Sequence, residues 1–239
     1  PGDPFDVSTL EGERTRLSTL FRNNGYFYWQ PSYASYLADT TSVPGKVQVR
    51  LQAIEKLPAK AKRPWYVGNI CIDLRKNYLD ALTDSFQRGS FMVRFRGRRP
   101  PLRVPVILQG TKLRSHKLYS YQDYQESMAH VSSTGLFSVV DFTFTPRDTT
   151  SANDTLDLRI NAVLDKPYDF YVEGNLVGKT NNRVGPGLVM GFTKRNAFRG
   201  GELLDINLKG SYEWQTSQQG ERSKSKFNSY EYGVDASLM

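Results

Sequence analysis

The last third of the chain alternates between apolar and polar residues in long runs. The clearest run covers residues 203–215, and three others lie at 168–177, 188–192 and 229–238. The apolar positions are Tyr168, Phe170, Val172 and Leu176, then Leu188, Met190 and Phe192, then Leu204, Ile206, Leu208, Tyr212 and Trp214, and finally Tyr230, Tyr232, Val234, Ala236 and Leu238. This period of two, which three of the runs keep beyond the usual five or six residues, predicts four long antiparallel strands with one apolar face.

Two interpretations of such a face are open. In a transmembrane β-barrel it contacts lipid and the polar face lines a wet lumen, whereas in a soluble sheet it covers a core. Strand length favours the membrane, because residues 203–215 exceed the about 9 to 11 residues that a tilted strand needs to cross a bilayer. Tyr212 and Trp214 fit either an aromatic girdle or a core. Since four strands cannot close a barrel, we expect the chain to be a fragment.

Before residue 167 the pattern is that of helices followed by short strands. Helical spacing and an Asn-Gly stop predict a helix over residues 10–25, then an aromatic strand at 26–37 and an alternating strand at 46–54. The order recurs with a helix that Ser120 caps and that ends at Gly135, followed by strands over 136–144 and 155–163.

The two closing strands, KVQVRLQAI and TLDLRINAV, match nearly position for position, which predicts two copies of one α+β module. We expect a truncated module at 1–57, a second at 58–166 that gains a leading strand at 66–73 and an insertion at 74–119, and the first barrel strands at 167–239. Residues 57–64 are expected to link the modules.

The insertion contains the basic segment RFRGRRPPLR. We expect a hairpin that turns at residues 97–101 and exposes Arg94 and Arg96 to solvent, followed by a second strand at 104–108. Nucleic-acid binding is the alternative, since the chain carries a net charge of +8. The solvated hairpin is favoured and no nucleic-acid partner is expected, because no nucleic-acid-binding motif accompanies the charge.

Composition points away from catalysis. One cysteine excludes an internal disulfide, and the two histidines lie in none of the common metal or nucleophile motifs. We therefore expect no enzyme activity, catalytic residue, cofactor or metal site. No apolar run is long enough for a membrane-spanning helix.

Taken together, the segments NNG, ADTT and PGKVQVRLQ resemble POTRA domains, and RVGPGLVMGFTKRNAFRGGELLDINLKGSYE resembles the first barrel strands of the BamA/TamA superfamily of outer-membrane proteins. Within that superfamily, the sequence is most similar to the TamA-type lipoproteins of the Bacteroidetes. The resemblance implies periplasmic POTRA modules before a 16-stranded barrel that assembles or inserts other outer-membrane proteins. The family's VRGF-type motif, closing strand and lipoprotein cysteine are absent from this sequence.

The resemblance also implies three sets of functional residues. The family motif at the turn between the second and third long strands comprises Arg195, Asn196, Phe198, Arg199, Gly200, Gly201 and Glu202. The seam strand, 168–177, carries Tyr168, Phe170, Val172, Gly174 and Leu176. The edges expected to pair with extended clients carry Phe27 and Trp29 in the first module and Phe137 and Val139 in the second. Gly174 could either weaken strand pairing at the seam or relieve crowding there. The alternative for the two edges is that a neighbouring module covers them.

The partners that the resemblance implies are unfolded outer-membrane client proteins, outer-membrane lipid and a periplasm-spanning TamB-like protein. The location implied is the outer membrane, with the modules in the periplasm. A soluble periplasmic binding or adhesion module with a C-terminal β-sandwich remains the alternative, because a sandwich produces the same alternation of apolar and polar residues.

Overall fold

The computed structural model describes residues 4–148, 154–179, 183–215 and 228–239. Its elements are α1 (Val7–Asn23), β1 (Ala34–Asp39), β2 (Gln48–Ala53), β3 (Tyr66–Arg75), β4 (Asp84–Arg88), β5 (Phe91–Phe95), α2 (Val104–Gly110), α3 (Tyr121–Ser133), β6 (Phe137–Pro146), β7 (Thr155–Leu164), β8 (Tyr168–Lys179), β9 (Arg183–Arg195), β10 (Leu203–Gln215) and β11 (Ser229–Leu238). The strands form three sheets, with orders β1-β2, β4-β5-β3-β7-β6 and β11-β10-β9-β8.

The predicted order of helix, glycine and two strands is present twice. The Asp6 carboxylate caps α1, and the Ser120 hydroxyl caps α3. Both helices are followed by a glycine with positive φ, Gly25 at 91° and Gly135 at 66°. β2 pairs antiparallel with β1, as β7 does with β6.

The aromatic strand predicted over residues 26–37 is wrong for its first half. Only β1 is extended, because the aromatic side chains before it pack inward instead of lying along a sheet. Trp29 stacks on Phe21 with ring centroids 4.1 Å apart, and Phe27 meets Tyr119 edge to face at 4.9 Å. Through these ring contacts the segment holds α1 next to the five-stranded sheet.

The predicted linker at residues 57–64 is packed against the fold. Its middle is a short 3₁₀ turn in which Ala61 is fully buried. The Trp65 indole Nε1 donates a hydrogen bond to the Lys60 carbonyl at 2.9 Å. Burial and this bond restrict the segment far more than its composition indicates.

The main hydrophobic core lies between the five-stranded sheet and the helices α2 and α3. β3 runs parallel to both β5 and β7, and the other pairs are antiparallel. Ile70 on β3 and Ile160 on β7 are fully buried, and Ile107 of α2 and Val131 of α3 join them in one apolar cluster. The two helices thus cover one face of this sheet.

The basic hairpin exists, but its turn is misplaced in the prediction. β4 and β5 are joined at Gly89, with φ 63°, and not at residues 97–101. Arg94 is also not solvated as predicted, because its Nε donates to Asp73 Oδ1 at 2.6 Å and the Asp73 side chain is 1% exposed. The segment therefore neutralises a buried carboxylate.

Residues 104–108, predicted as a strand, lie in α2. Arg103 occupies the N-cap, and Pro105 lies in the first turn, where its missing amide hydrogen is not needed. Val104 and Ile107, three residues apart, are the buried positions of this helix. Among the described residues no helix combines the length and apolarity required to cross a membrane.

Candidate functional site

The four long strands are confirmed and form one antiparallel meander with two chemically different faces. The register places Phe170 opposite Phe192, Phe192 opposite Ile206, and Ile206 opposite Ala236, so the apolar positions of all four strands share one face. Among the described residues of the four strands, Lys194 is the only charged one on this face, and it lies at the end nearest the modules. The alternation predicted strand by strand therefore extends across the whole sheet.

Hydrogen bonds and ion pairs connect the strands across the polar face. Thr193 Oγ1 donates to Asp205 Oδ1 at 2.7 Å, and Lys209 Nζ lies 2.6 Å from Asp235 Oδ2. These groups bond to each other across the strands, so this face suits contact with water.

One cross-strand arrangement on the polar face escaped the sequence analysis. The Tyr171 hydroxyl donates to Asn207 Oδ1 at 2.7 Å across the intervening strand. The ring can cross only because Gly191 lies beneath it, since a Cβ there would be 1.9 Å from Tyr171 Cε1. A glycine opposite an aromatic residue is the sequence signal, but it is visible only once the register is known.

The apolar face is open over the described part of the chain. Phe170 is 67% exposed, Leu176 83% and Tyr232 81%. These strands form a single sheet, and no second sheet among the described residues packs on it as the sandwich alternative requires. The described strands do not close into a barrel either. An apolar surface of this extent indicates contact with lipid or with other protein.

Hydrogen bonds within the turn that joins β9 to β10 stabilise its conformation. Glu202 accepts hydrogen bonds from the amides of Phe198 and Gly200 at 3.1 and 2.9 Å. Asn196, at φ 55°, accepts one from the Gly201 amide through Oδ1 at 3.2 Å. We call residues 195–202 the junction turn.

The junction turn is fastened to the five-stranded module. Asn196 Nδ2 donates to the Pro101 carbonyl at 2.9 Å, and the Arg103 amide donates to the Arg199 carbonyl at 2.8 Å. Gly201 adopts φ 90°, and a Cβ there would lie 3.1 Å from Leu136 Cδ1. These contacts show why the motif contains Asn196 and Gly201.

The other motif residues have separate roles. Arg195 forms an ion pair with Asp169, and its amide donates to the Pro167 carbonyl at 2.9 Å. The Arg199 guanidinium has its Nε buried. Phe198 is 58% exposed at the tip. The motif thus combines residues that build the turn with side chains that remain available for contact.

The predicted seam residues all lie on β8, an outer strand of the four-stranded sheet. Tyr168, Phe170, Val172 and Leu176 point to the open apolar face. A Cβ on Gly174 would meet no atom within 4 Å, so the glycine does not relieve crowding among the described residues.

The predicted client-binding edges fare differently. Phe137 and Val139 lie on β6, an outer strand of the five-stranded sheet that pairs with β7 on one side. The placement of Phe27 and Trp29 on an edge strand is wrong, because both precede β1 and their rings pack against other aromatic residues. Only the second module therefore presents its predicted edge residues on a strand.

Metal chemistry has no candidate site in the described ranges. No group of three or more His, Cys, Asp or Glu side chains is close enough there to hold an ion.

Comparison with known proteins gives structural neighbours only, since no family model and no curated protein matches the chain. The crystal structure of BamA from Haemophilus ducreyi lacking POTRA domains 1-3 matches it with a TM-score of 0.54 and 11% identity, over 100% of this chain and 42% of that chain. The fold is similar to that of BamA. The chain therefore spans less than half the length of this BamA structure.

Two further neighbours are the POTRA1-3 domains of Omp85 from Anabaena and CdiB from Acinetobacter baumannii. Omp85 has a TM-score of 0.33 and 17% identity over 69% of this chain and 54% of that chain. CdiB has a TM-score of 0.39 and 9% identity over 89% and 34%. Both TM-scores are below 0.5 and support no argument about this chain.

Gly201→Ala is expected to loosen the junction turn of this BamA-like fold by about 1–2 kcal/mol, because a Cβ at positive φ is strained and this one also meets Leu136. Faster amide hydrogen exchange in residues 196–202 would report the loss. Gly210→Ala is the matched control, since a Cβ there meets no atom within 4 Å. Equal exchange in the two variants would contradict the proposed role of Gly201.

The junction turn should also respond to acid. Hydrogen bonds from its own amide and from the amides of Gly200 and Phe198 hold the pKa of Glu202 below its ordinary value of 4.5. Because the folded pKa is depressed, the stabilisation is complete above 4.5 and is lost as the pH falls through the folded pKa. NMR titration of the Glu202 carboxyl carbon should therefore give a midpoint below 4.5, and a midpoint at or above 4.5 would refute the bonding described.

Proposed function

We propose that the chain is part of an outer-membrane protein assembly or translocation factor of the BamA/TamA type. The observation that carries the proposal is the apolar face shared by the four long strands, which a hydrogen-bonded turn joins to an α+β module. A BamA-like fold that combines these two parts is consistent with it. Assembly of other outer-membrane proteins is the role we assign, without an enzymatic reaction.

Strand dimensions support a location in the membrane. The 13 residues of β10 span about 43 Å at about 3.3 Å per residue, or about 30 Å along the bilayer normal when tilted by about 45°. That distance matches the hydrocarbon core of a bilayer. β8 and β11 each leave an outer edge, which in lipid must be paired. We propose that further strands complete a barrel of 16 strands in the outer membrane and that the modules lie in the periplasm.

Client delivery is proposed to occur by strand addition at β6. Its outer edge has no partner strand among the described residues, and Val139 is 44% exposed. An extended segment of an unfolded outer-membrane protein could add to such an edge through backbone hydrogen bonds. The more specific TamA-type role, with a TamB-like periplasmic partner, rests on the sequence resemblance alone.

Depletion of the protein from its native cells tests the proposed function. Gel mobility of unboiled and boiled samples separates folded from unfolded outer-membrane barrels. We expect folded barrels of other proteins to decline while their unfolded forms accumulate, and we expect the protein itself to be in the outer membrane. Unchanged assembly together with a soluble location would contradict the proposal and favour the soluble binding or adhesion module.

A photo-crosslinking amino acid at Val139 tests the strand-addition step. Arg159 is the matched control position, because it is also exposed but lies on β7, which has strands on both sides. We expect crosslinks to unfolded clients from position 139 and few from position 159. Equal yields from both positions would contradict strand addition at β6.

A further inference from the structure

A cavity lies where the five-stranded module meets the ends of β8 and β9. Its volume is about 680 Å³. The module contributes the loop after β3, the segment before α2 and the segment between β7 and β8, and the sheet contributes the junction turn. The cavity therefore exists only because the two parts of the fold contact each other.

The lining is strongly basic. Lys76, Arg99, Lys194, Arg195 and Arg199 line the cavity, and Asp165 is the only acidic residue among the described lining positions. Arg195 is paired with Asp169. No ion pair within the described ranges neutralises Lys76, Arg99 or Arg199. Several unneutralised cations around one concave space favour an anionic ligand.

Arg199 lines the cavity and has a hydrogen-bond donor that is not used by the described residues. Its Nε is buried and has no hydrogen-bond acceptor among the described residues. A buried donor without an acceptor is costly, and guanidinium groups bind phosphate oxygens with two parallel hydrogen bonds. The backbone of Arg199 is fixed by the bond from the Arg103 amide, so the side chain starts from a defined position.

The cavity also has an apolar part that continues onto the open face of the long-strand sheet. Pro100, Leu136 and Leu164 line one part, and Tyr168 connects it to the apolar face. Lys194 Nζ lies 5.8 Å from the Tyr168 ring centroid. Tyrosine and lysine at the end of a lipid-facing strand are typical of the level of lipid headgroups.

We propose that this cavity binds a phosphate group, supplied by an anionic phospholipid of the leaflet that faces the modules. The basic residues would bind the phosphate, and the apolar part would contact the start of the acyl chains. The inference rests on the proposed function, because only a membrane at the apolar face brings headgroups to this level. Lipid bound here would contact both the module and the sheet.

Native mass spectrometry of the protein, purified from membranes in mild detergent with added phosphatidylglycerol, tests the proposal. The variant Arg99→Gln/Arg199→Gln is expected to retain at least about tenfold less phosphatidylglycerol, because charged hydrogen bonds are each worth more than one order of magnitude. Arg50→Gln/Arg88→Gln is the matched control, with the same loss of charge at two exposed positions outside the cavity. It should retain lipid as the unmodified protein does.

A second arm measures the binding of inorganic phosphate to the delipidated protein. Weak phosphate binding together with strong, arginine-dependent lipid retention supports the lipid as the source. Arginine-dependent binding of inorganic phosphate with unchanged lipid retention would overturn the lipid as the source. Equal lipid retention by all three proteins, without phosphate binding, would overturn the site.

The result also separates this inference from the proposed function. Gel mobility before and after boiling, measured on the same samples, reports whether the protein is a membrane barrel. If the protein is a membrane barrel but its lipid binding does not depend on the two arginines, only the proposed lipid site is refuted. Absence of the protein from the membrane would refute the proposed function, and the lipid site with it.

Discussion

Ile206→Arg is expected to destabilise the protein in a bilayer by about 2 kcal/mol, because a cation on the lipid face of a transmembrane strand costs about 2–4 kcal/mol at the midplane and less towards the interface. Ile206 is the fourth of the 13 residues of β10, and its cross-strand neighbours Phe192 and Ala236 are apolar. Within the paired parts of the four strands, that face carries no acidic side chain that could neutralise the new charge. Denaturant titration in lipid vesicles, followed by gel mobility before and after boiling, would measure the loss.

Asn207→Arg is the control for this prediction. Asn207 is the next residue on the strand, is half-buried like Ile206, and lies on the polar face beside Asp205. The variant loses the hydrogen bond from the Tyr171 hydroxyl, so we expect its stability to fall by about 1 kcal/mol. Equal losses at the two positions would show that the faces do not differ in environment.

Arg94→Leu should have a comparable effect on the five-stranded module, about 3 kcal/mol. The reason is that Asp73 would keep a buried carboxylate without the guanidinium that binds it. The estimate is at the low end for buried pairs, since Arg94 itself is 32% exposed. Amide hydrogen exchange in β3 and β5 should be faster in the variant than in the unmodified protein, and the ratio of the rates would measure the loss of stability.

Two further variants isolate the cause. Arg96→Leu removes the neighbouring ion pair with Asp80, in which Arg96 is 63% exposed, and should cost less than about 1 kcal/mol. Asp73→Leu/Arg94→Leu removes both charges of the buried pair and should recover most of the stability. A double variant as unstable as Arg94→Leu would show that packing, and not the uncompensated charge, determines the loss.

The features that sequence predicted well are those determined by local chemistry. The alternation of residues 203–215 predicted a strand with those bounds, because a period of two has no other regular structure to fit. Ser120 and Gly135 likewise marked the ends of α3 through capping and positive φ. Such signals require no knowledge of distant residues.

The errors arose where tertiary contacts overrode local preference. The β-branched residues of 104–108 favour a strand, but burial of Val104 and Ile107 on one face and Pro105 in the first turn produce a helix. The aromatic residues of 26–37 are typical of strands, yet Trp29 packs on Phe21. Periodicity over so few residues does not distinguish these outcomes.

The junction turn shows the same limit at the candidate site. The turn and its motif residues were predicted from the resemblance. The hydrogen bond from Asn196 to the Pro101 carbonyl joins residues 95 positions apart, and the cavity beside it depends on that contact. No local pattern predicts which module surface meets the turn.

The central claim is that the apolar face of the long-strand sheet contacts lipid. Spin labels on Leu208→Cys and Lys209→Cys, each in a Cys71→Ser background, test it in lipid vesicles by accessibility to oxygen and to a water-soluble nickel complex. These adjacent residues lie on opposite faces of β10. We predict that the label at 208 is accessible to oxygen and protected from nickel, and that the label at 209 is accessible to nickel. Low accessibility of position 208 to both reagents, as in a dry protein core, or nickel access at both positions, would contradict the account.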